Sequence, residues 1–215
     1  IYSGISWNNE ILVIDNRFVS ERVNQLRNWG IDFVHGDILD KELVNKFCKD
    51  ADIVHHLAGI TDVPRVKSES SDDKDTKIKL VGEKGTQNIL DAISDKCKII
   101  FPSTHVVYEG IEKVKNDILE DEDTKPILSY ATSKAINEKQ LKNSGKNYII
   151  LRLGSVYGYS TDTARIDIMP NLFSKIASQN GILKLFAAGR QVKSLVPLID
   201  VARCFKYMEE REDIS

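Results

Sequence analysis

The stretch Ser129-Tyr130-Ala131-Thr132-Ser133-Lys134 places a phenol and an ammonium four residues apart on a predicted helix. Side chains at this spacing lie on the same helical face. A nearby cation favours the ionised phenol, so Lys134 is expected to lower the pKa of Tyr130 from its usual value of about 10. Such a tyrosine can transfer protons near neutral pH. Taken alone, the pair also fits an amphipathic helix with a solvated lysine.

Apolar runs lie on both sides of this helix. Upstream, Lys98-Ile99-Ile100-Phe101 leads into Pro102-Ser103-Thr104, which is typical of a buried parallel strand that delivers hydroxyl groups at its carboxyl end. Downstream, another buried strand begins near Tyr148 and runs into a glycine turn at Gly158. Along the chain, short apolar runs alternate with longer amphipathic segments. This alternation predicts βαβ units and an α/β fold with a doubly wound parallel sheet.

The pattern predicts strands at 10–15, 32–35, 52–57, 98–103, 147–153 and 194–198. It predicts helices at 20–29, 40–47, 74–93, 129–143 and 166–179. The polar segments 67–75 and 117–123 are predicted to be solvated loops.

Composition is that of a globular protein. Of the 215 residues, 41% are hydrophobic and 29% are charged, which is ordinary globular usage. The net charge of −2 provides no bulk positive field for nucleic acid. Cys48, Cys97 and Cys204 lack metal-ligand spacing and are typical of free thiols in a reducing compartment. We therefore expect a cytoplasmic protein that has no metal site and binds neither nucleic acid nor a membrane.

Seven groups of residues occur in the order and approximate spacing of one protein family. They are Val13-Ile14-Asp15-Asn16, His35-Gly36-Asp37-Ile38-Leu39-Asp40, His55-His56-Leu57-Ala58-Gly59, Gly85-Thr86-Gln87-Asn88, Pro102-Ser103-Thr104, Tyr130 with Lys134, and the run from Arg152 to Gly158. The chain thereby resembles the extended branch of the short-chain dehydrogenase/reductase family, the nucleotide-sugar epimerases, dehydratases and decarboxylases. The resemblance implies a Rossmann-like fold, NAD as cofactor, a nucleotide-sugar substrate and a homodimer.

The resemblance also implies residue roles. The catalytic residues would be Tyr130, Lys134 and Thr104. The cofactor would contact Asp15, Asn16, Asp37, Ile38, Leu57, Ala58, Gly59, Ser103, Tyr130 and Lys134, and the substrate would contact Ser155 and Lys193.

In the implied chemistry, NAD takes a hydride from a sugar carbon while Tyr130, as phenolate, removes the hydroxyl proton. Lys134 stabilises the phenolate, and Thr104 orients the sugar oxygen. Ser103 is the second candidate for the role of Thr104.

Departures from the family pattern restrict the reaction. Dehydratases of the family carry an acidic pair directly after the strand-end threonine, but His105 and Val106 stand here. Valine transfers no proton, so 4-epimerisation or simple oxidation and reduction is favoured. We expect His105 to be structural or solvent-facing. Gly82 replaces a frequent asparagine, and Lys193 replaces an arginine that could bind phosphate in bidentate fashion. A non-catalytic dinucleotide sensor or scaffold with the same fold is the alternative.

The position of Asp15 bears on domain organisation. In this fold, the acidic residue that meets the adenosine ribose follows a strand, a glycine-rich turn and a helix. Only fourteen residues precede Asp15, with Gly4 as their sole glycine. We therefore expect a dinucleotide-binding domain at 1–158 that lacks its first strand, turn and helix. Residues 159–215 would begin a substrate-binding region whose larger part is missing, and the 215 residues alone are expected to be inactive.

Overall fold

The computed structural model describes residues 9–61, 71–112, 115–160, 165–190 and 192–212. The chain forms two compact units, one comprising chiefly residues 6–151 and the other chiefly residues 152–211. The predicted domain boundary after Gly158 stays a prediction.

Five strands build the sheets of the larger unit, and the pairs β1–β2 and β3–β4 are parallel. They are β1 (Leu12–Asp15), β2 (Asp32–His35), β3 (Ile53–His55), β4 (Lys98–Thr104) and β5 (Asn147–Leu153). Strand β1 pairs with β2, from Leu12 opposite Asp32 to Asp15 opposite His35. Strand β4 lies between β3 and β5. Doubly wound dinucleotide-binding sheets commonly have the strand order 3-2-1-4-5-6. The β1–β2 pair corresponds to strands 2 and 3 of that order, and β3, β4 and β5 correspond to strands 4, 5 and 6.

Helices follow the strands in alternation. They are α1 (Ser20–Asn28), α2 (Lys41–Cys48), α3 (Asp72–Lys79), α4 (Gly85–Ala92) and α5 (Ser129–Asn143). A π-helical turn, Leu80–Lys84, separates α3 from α4, and a 3₁₀ helix, His105–Tyr108, follows β4. The predicted α/β alternation with parallel strands is confirmed, and β2, β5 and α5 match their predicted bounds.

The predicted single helix 74–93 is therefore interrupted, and Gly82 lies in the interruption. A Cβ atom at Gly82 would collide with the hydroxyl of Ser133 on α5. The Asn137 side chain donates a hydrogen bond to the Gly82 carbonyl at 3.1 Å. A residue without a side chain thus permits the close approach of this turn to α5. The asparagine common in the family would not fit here without displacement of Ser133.

The loop prediction for 67–75 is wrong from residue 72 onward, because Asp72 begins α3. The Ser71 side chain caps the helix by accepting from the backbone N–H of Lys74 at 3.4 Å. The first turn carries Asp72, Asp73 and Asp75, and acidic residues stabilise a helix amino terminus. Residues 67–70 lie outside the described residues. The segment 117–123 is a largely exposed loop, as predicted.

Strand β4 and the helices on its two sides form the core. The buried core cluster consists of Val44, Ile89, Leu90, Ile93, Cys97, Ile99, Phe101 and Leu141. All residues from Lys98 to Phe101 are buried, as expected for an inner parallel strand covered on both faces. Cys48, Cys97 and Cys204 are free thiols, and burial raises the pKa of Cys97 to about 11.

The smaller unit contains β6 (Ser155–Tyr157), α6 (Met169–Ser178), a 3₁₀ helix (Phe186–Gly189), β7 (Leu195–Pro197) and α7 (Leu198–Glu210). Strands β6 and β7 pair in parallel. The predicted strand 194–198 is wrong at its end, because Leu198 already begins α7. Helix α7 was not predicted; it buries Val201 and Phe205. Within the described residues, no helix combines the length and apolar character needed to cross a membrane.

Candidate active site

The predicted functional residues of the larger unit lie at or just after the carboxyl ends of its strands. Asp15 ends β1, Asp37 follows β2, Leu57 follows β3, and Thr104 ends β4. Ligands of open parallel sheets bind outside the carboxyl ends of the strands. The fold thus brings the predicted residues to the edge where such a ligand binds.

Hydrogen bonds join the segments after β1 and β2. Asn16 Nδ2 donates to Asp37 Oδ2 at 3.2 Å, and Asp37 Oδ1 accepts from the backbone N–H of Leu39 at 2.9 Å. Asp15 Oδ1 accepts from the backbone N–H of Arg17 at 2.8 Å. The side chains of Asn16 and Asp37 therefore hold each other in position. Asp15 keeps a carboxylate oxygen that can accept from a ribose hydroxyl.

Helix α4 connects the segment after β2 to the end of β3. Asn88 Nδ2 donates to the carbonyl of Ile38 at 2.9 Å. His56 Nε2 lies 2.8 Å from Thr86 Oγ1. His56 is fully buried, and burial together with the charge of Lys134 lowers its pKa to about 3. The group Gly85-Thr86-Gln87-Asn88 thus positions the two loops, a role that the sequence pattern did not reveal.

The loop Leu57-Ala58-Gly59 is exposed beyond β3. Leu57 is 63% exposed although it is apolar. Among the described residues, no atom outside the neighbours of Gly59 lies within 4 Å of a Cβ atom built on it. The loop therefore offers an open apolar surface against which a flat ligand can pack.

Tyr130 and Lys134 lie on α5, over the end of β4. Lys134 is only 8% exposed, and its Nζ donates to the carbonyl of Pro102 at 2.8 Å. The same Nζ lies 4.2 Å from the centroid of the Phe101 ring and 6.0 Å from that of the Tyr130 ring. Burial lowers the pKa of Lys134 to about 8, against an opposing effect of Glu138. Pro102 uses one of three ammonium donors, so two remain.

Ser103 and Thr104 have different partners. Thr104 Oγ1 accepts from the backbone N–H of Val106 at 3.3 Å and caps the following 3₁₀ helix, so its hydroxyl hydrogen can still be donated. Ser103 Oγ donates to Glu138 Oε1 at 2.5 Å. The only donor of Ser103 is thus used, which favours Thr104 as the residue that meets the sugar oxygen. His105 lies half-buried at the start of the 3₁₀ helix.

Two further acidic residues support this site, and sequence reasoning missed both. Glu138 lies four residues beyond Lys134, a helical spacing that could have indicated it. Glu109 Oε1 accepts from the backbone N–H groups of Ile127 at 2.8 Å and Leu128 at 2.6 Å. Glu109 thereby anchors the segment that enters α5. No sequence signal marks that contact.

The predicted substrate residues lie in the smaller unit, close to each other. The backbone N–H of Ser155 donates to the carbonyl of Ser194 at 2.8 Å. Lys193 precedes Ser194 and is exposed. Pairing of β6 with β7 therefore brings Ser155 near Lys193. Their contact with substrate stays a prediction.

The sequence pattern of the NAD dependent epimerase/dehydratase family matches residues 5–214. The chain belongs to this family. The predicted family and its Rossmann-like fold are confirmed.

Three known proteins illustrate the similarity. The chain is 27% identical to a UDP-N-acetyl-alpha-D-glucosaminuronate decarboxylase of Bacillus cytotoxicus, over 93% of this chain and 60% of that protein. It is 28% identical to a CDP-paratose 2-epimerase of Salmonella typhi, over 69% of this chain and 51% of that protein. The UDP-glucuronic acid 4-epimerase of Bacillus cereus, solved with UDP-glucuronic acid and NAD, superposes with a TM-score of 0.75 and 23% identity, over 95% of this chain and 66% of that one. The chain thus spans 60% and 51% of the two curated relatives.

The described residues of the larger unit fit the cofactor that the family name implies. Asp15 can accept from ribose hydroxyls, Leu57 to Gly59 offers an open apolar surface, and Lys134 retains two donors. Within the described part of the chain, no group of three or more His, Cys, Asp or Glu side chains could hold a metal ion.

Proposed function

We propose that the protein is an NAD-dependent nucleotide-sugar epimerase, with 4-epimerisation as its reaction. The observation that carries the proposal is the placement of Tyr130 and the buried Lys134 over the end of β4, where Thr104 keeps a hydroxyl donor. Acting on nucleotide sugars is common to the named relatives above. It comes to this chain only as a proposal, since the chain spans part of their length.

The residues of the site have separate roles in this mechanism. Tyr130, as phenolate, takes the proton of the sugar hydroxyl and later returns it. The charge of Lys134 favours the phenolate, and the remaining donors of Lys134 hold the cofactor ribose. Thr104 donates a hydrogen bond to the same sugar oxygen and orients it. When bound, NAD supplies the acceptor for the hydride that leaves the sugar carbon.

The cofactor contacts follow from the strand ends. Asp15 accepts from the hydroxyls of the adenosine ribose, as acidic residues at this position of the fold do. Asp37 and Ile38 line the adenine side, and Leu57 to Gly59 pack against the cofactor beyond β3. Asn16 acts through its hydrogen bond to Asp37.

The residues after Thr104 favour epimerisation over dehydration. His105 and Val106 provide no pair of carboxyl groups, and Oε1 of Glu109 accepts from two backbone N–H groups that anchor the start of α5. Elimination of water needs one group to protonate the leaving hydroxyl and another to remove a carbon-bound proton. The lack of such a pair after Thr104 favours epimerisation, in which the hydride returns to the sugar, over dehydration.

The test uses the full-length protein, NAD and a panel of UDP- and CDP-linked sugars and sugar acids, with products identified by NMR. An epimer is the expected product, and loss of carbon dioxide would instead make the protein a decarboxylase. Tyr130→Phe keeps the ring and removes the ionisable oxygen, so turnover should fall by about 10² to 10⁴. Tyr148→Phe removes a phenol that packs against the core and should leave turnover near the wild-type value.

Two results would contradict the proposal. NAD binding without turnover on any nucleotide sugar would favour the sensor or scaffold alternative. Near-normal turnover of Tyr130→Phe would remove the proton-transfer role. We further propose a homodimer that pairs through α5, which light scattering on the full-length protein can test, and a cytoplasmic location.

A further inference from the structure

Glu138 is a buried carboxylate that the proposed mechanism leaves without a role. It lies four residues after Lys134, which lies four residues after Tyr130, so the three side chains share one face of α5. Glu138 is 2% exposed and Lys134 is 8% exposed. A buried charge is costly unless charges or hydrogen bonds compensate it. The surroundings of Glu138 show what compensates it.

Consecutive residues of β4 hold both charged groups. Ser103 Oγ donates to Glu138 Oε1 at 2.5 Å, a length typical of a hydroxyl bound to a charged carboxylate. The carbonyl of the preceding residue, Pro102, accepts from Lys134 Nζ at 2.8 Å. Adjacent residues of one strand therefore bind the ammonium and the carboxylate.

Few titratable groups surround the Lys134 ammonium. Tyr130 and Glu138 face it from its own helix, and His56 faces it from the end of β3. His56 is neutral at physiological pH, because burial lowers its pKa to about 3. Glu138 is therefore the nearby group whose negative charge can offset the burial of Lys134.

The other elements packed against α5 are α3, the π-helical turn, α4 and the 3₁₀ helix after β4. Their acidic and basic residues are Asp72, Asp73, Lys74, Asp75, Lys77 and Lys79 on α3, Glu83 and Lys84 on the turn, Asp91 on α4 and His105 on the 3₁₀ helix. Among the described residues, the charge that raises the pKa of Lys134 is that of Glu138. The turn between α3 and α4 meets α5 through backbone carbonyls, which accept from Asn137 at 3.1 Å and from Gln140 at 3.0 Å. The 3₁₀ helix after β4 carries His105 and Tyr108, and the Tyr108 hydroxyl donates to the Leu119 carbonyl.

We propose that Glu138 is a positioning residue, whose carboxylate, held by Ser103, keeps the Lys134 ammonium charged on the helical face that also carries Tyr130. The proposal rests on the proposed function, in which Tyr130 and Lys134 form the proton-transfer pair. Burial favours the neutral amine and lowers the pKa of Lys134, and the charge of Glu138 acts in the opposite direction. Without that charge, Lys134 loses its proton at lower pH.

The test follows the titration of Lys134 by NMR of lysine labelled with ¹³C at Cε, in the full-length protein, with the signal assigned by its loss in Lys134→Met. Glu138→Gln keeps the shape and an acceptor for Ser103 while removing the charge. The expected result is a titration midpoint displaced to lower pH by about one pH unit or more. Asp95→Asn, which removes an exposed carboxylate far along the chain, should leave the midpoint unchanged.

Two more variants separate charge from packing. Ser103→Ala removes the hydrogen bond but leaves the carboxylate, so it should displace the midpoint less than Glu138→Gln. Glu138→Asp retracts the charge by one methylene and should give an intermediate displacement. If Glu138→Gln does not fold, the Lys134 titration midpoint in Glu138→Asp decides the test. An unchanged Lys134 midpoint in the folded Glu138 variants would overturn the proposal.

A pH profile of turnover provides the functional readout. Loss of the Lys134 charge should limit activity on the alkaline side, and in Glu138→Gln this limb should move to lower pH by the same displacement that NMR measures. The two proposals fail separately. Normal turnover of Tyr130→Phe would contradict the proposed function and leave the NMR result standing, whereas an unchanged midpoint would contradict only the role of Glu138.

Discussion

Replacement of Lys134 by methionine should change how the stability of the fold depends on pH. The ammonium is buried, and burial lowers its pKa from 10.5 to about 8. This difference corresponds to about 3 kcal/mol, at about 1.4 kcal/mol per pH unit. Below pH 8 the Lys134 side chain is charged in both the folded and the unfolded state, so the folded state carries the full free-energy cost of burying that charge. Between pH 8 and 10.5 the folded protein loses the proton first, so stability rises.

The free energy of unfolding of wild type minus that of Lys134→Met should therefore increase by about 2 to 3 kcal/mol between pH 7 and pH 10. The subtraction cancels the titration of groups whose pKa does not depend on Lys134, such as Cys97. Loss of the hydrogen bond to Pro102 shifts the difference by a constant, because the neutral amine still donates to that carbonyl. The sign of the pH dependence therefore reports the buried Lys134 charge together with its effect on the ionisation of Tyr130.

Urea unfolding of the full-length protein, followed by circular dichroism at several pH values, measures this difference where the transition is two-state. Lys139→Met removes an exposed lysine from the same helix and should give a flat difference. A Lys134→Met difference that stays flat within about 0.5 kcal/mol, or falls with pH, would refute the claim that Lys134 is buried as a charged group.

Three further predictions follow from individual contacts. Thr104→Val should lower turnover about tenfold or more with little effect on the dissociation constant of NAD, because the lost hydrogen bond goes to the sugar; equal losses in both would contradict this role. Asp15 should make NAD bind at least about tenfold more tightly than NADP, since its carboxylate repels a 2′-phosphate; calorimetry giving equal affinities would refute the assignment. Gly82→Ala should destabilise the fold by about 1 to 3 kcal/mol, and Ser133→Ala should rescue it because the colliding hydroxyl is gone; additive losses in the double-mutant cycle would contradict the packing argument.

The sequence pattern was sufficient to place some elements at their observed bounds. Strand β5 and helix α5 match their predicted bounds, because Tyr148 to Leu151 is continuously apolar and the helix begins at a polar segment. The interruption at Leu80–Lys84 could not be predicted, since it depends on contact between Gly82 and a serine 51 residues further along the chain. Helix α7 was missed, although Val201 and Phe205 have helical spacing.

Some features of the candidate site could likewise be predicted from the sequence, and others could not. The spacing of Tyr130 and Lys134 predicted a shared helical face, and the Lys134 ammonium lies 6.0 Å from the centroid of the Tyr130 ring while it donates to Pro102 near the end of β4. The separate partners of Ser103 and Thr104 could not be read from adjacent hydroxyl residues, because they depend on which face of the strand meets α5. Glu109 acts on backbone groups 18 and 19 residues away, a contact that only the folded loop creates.

Burying the charged residues of α5 costs folding free energy. This cost is an argument that the buried charges have a catalytic role. Replacing buried ion pairs with well-packed apolar residues is often neutral or stabilising, so stability alone gives little reason to bury Lys134 and Glu138 together. The same face presents Tyr130, and β4 supplies a specific partner to each charge. Proteins tolerate such local costs at functional sites, where a fixed charge acts on a reacting group. The charges on this helix therefore favour an enzyme over a scaffold, since a scaffold gains nothing from an ammonium held beside a phenol.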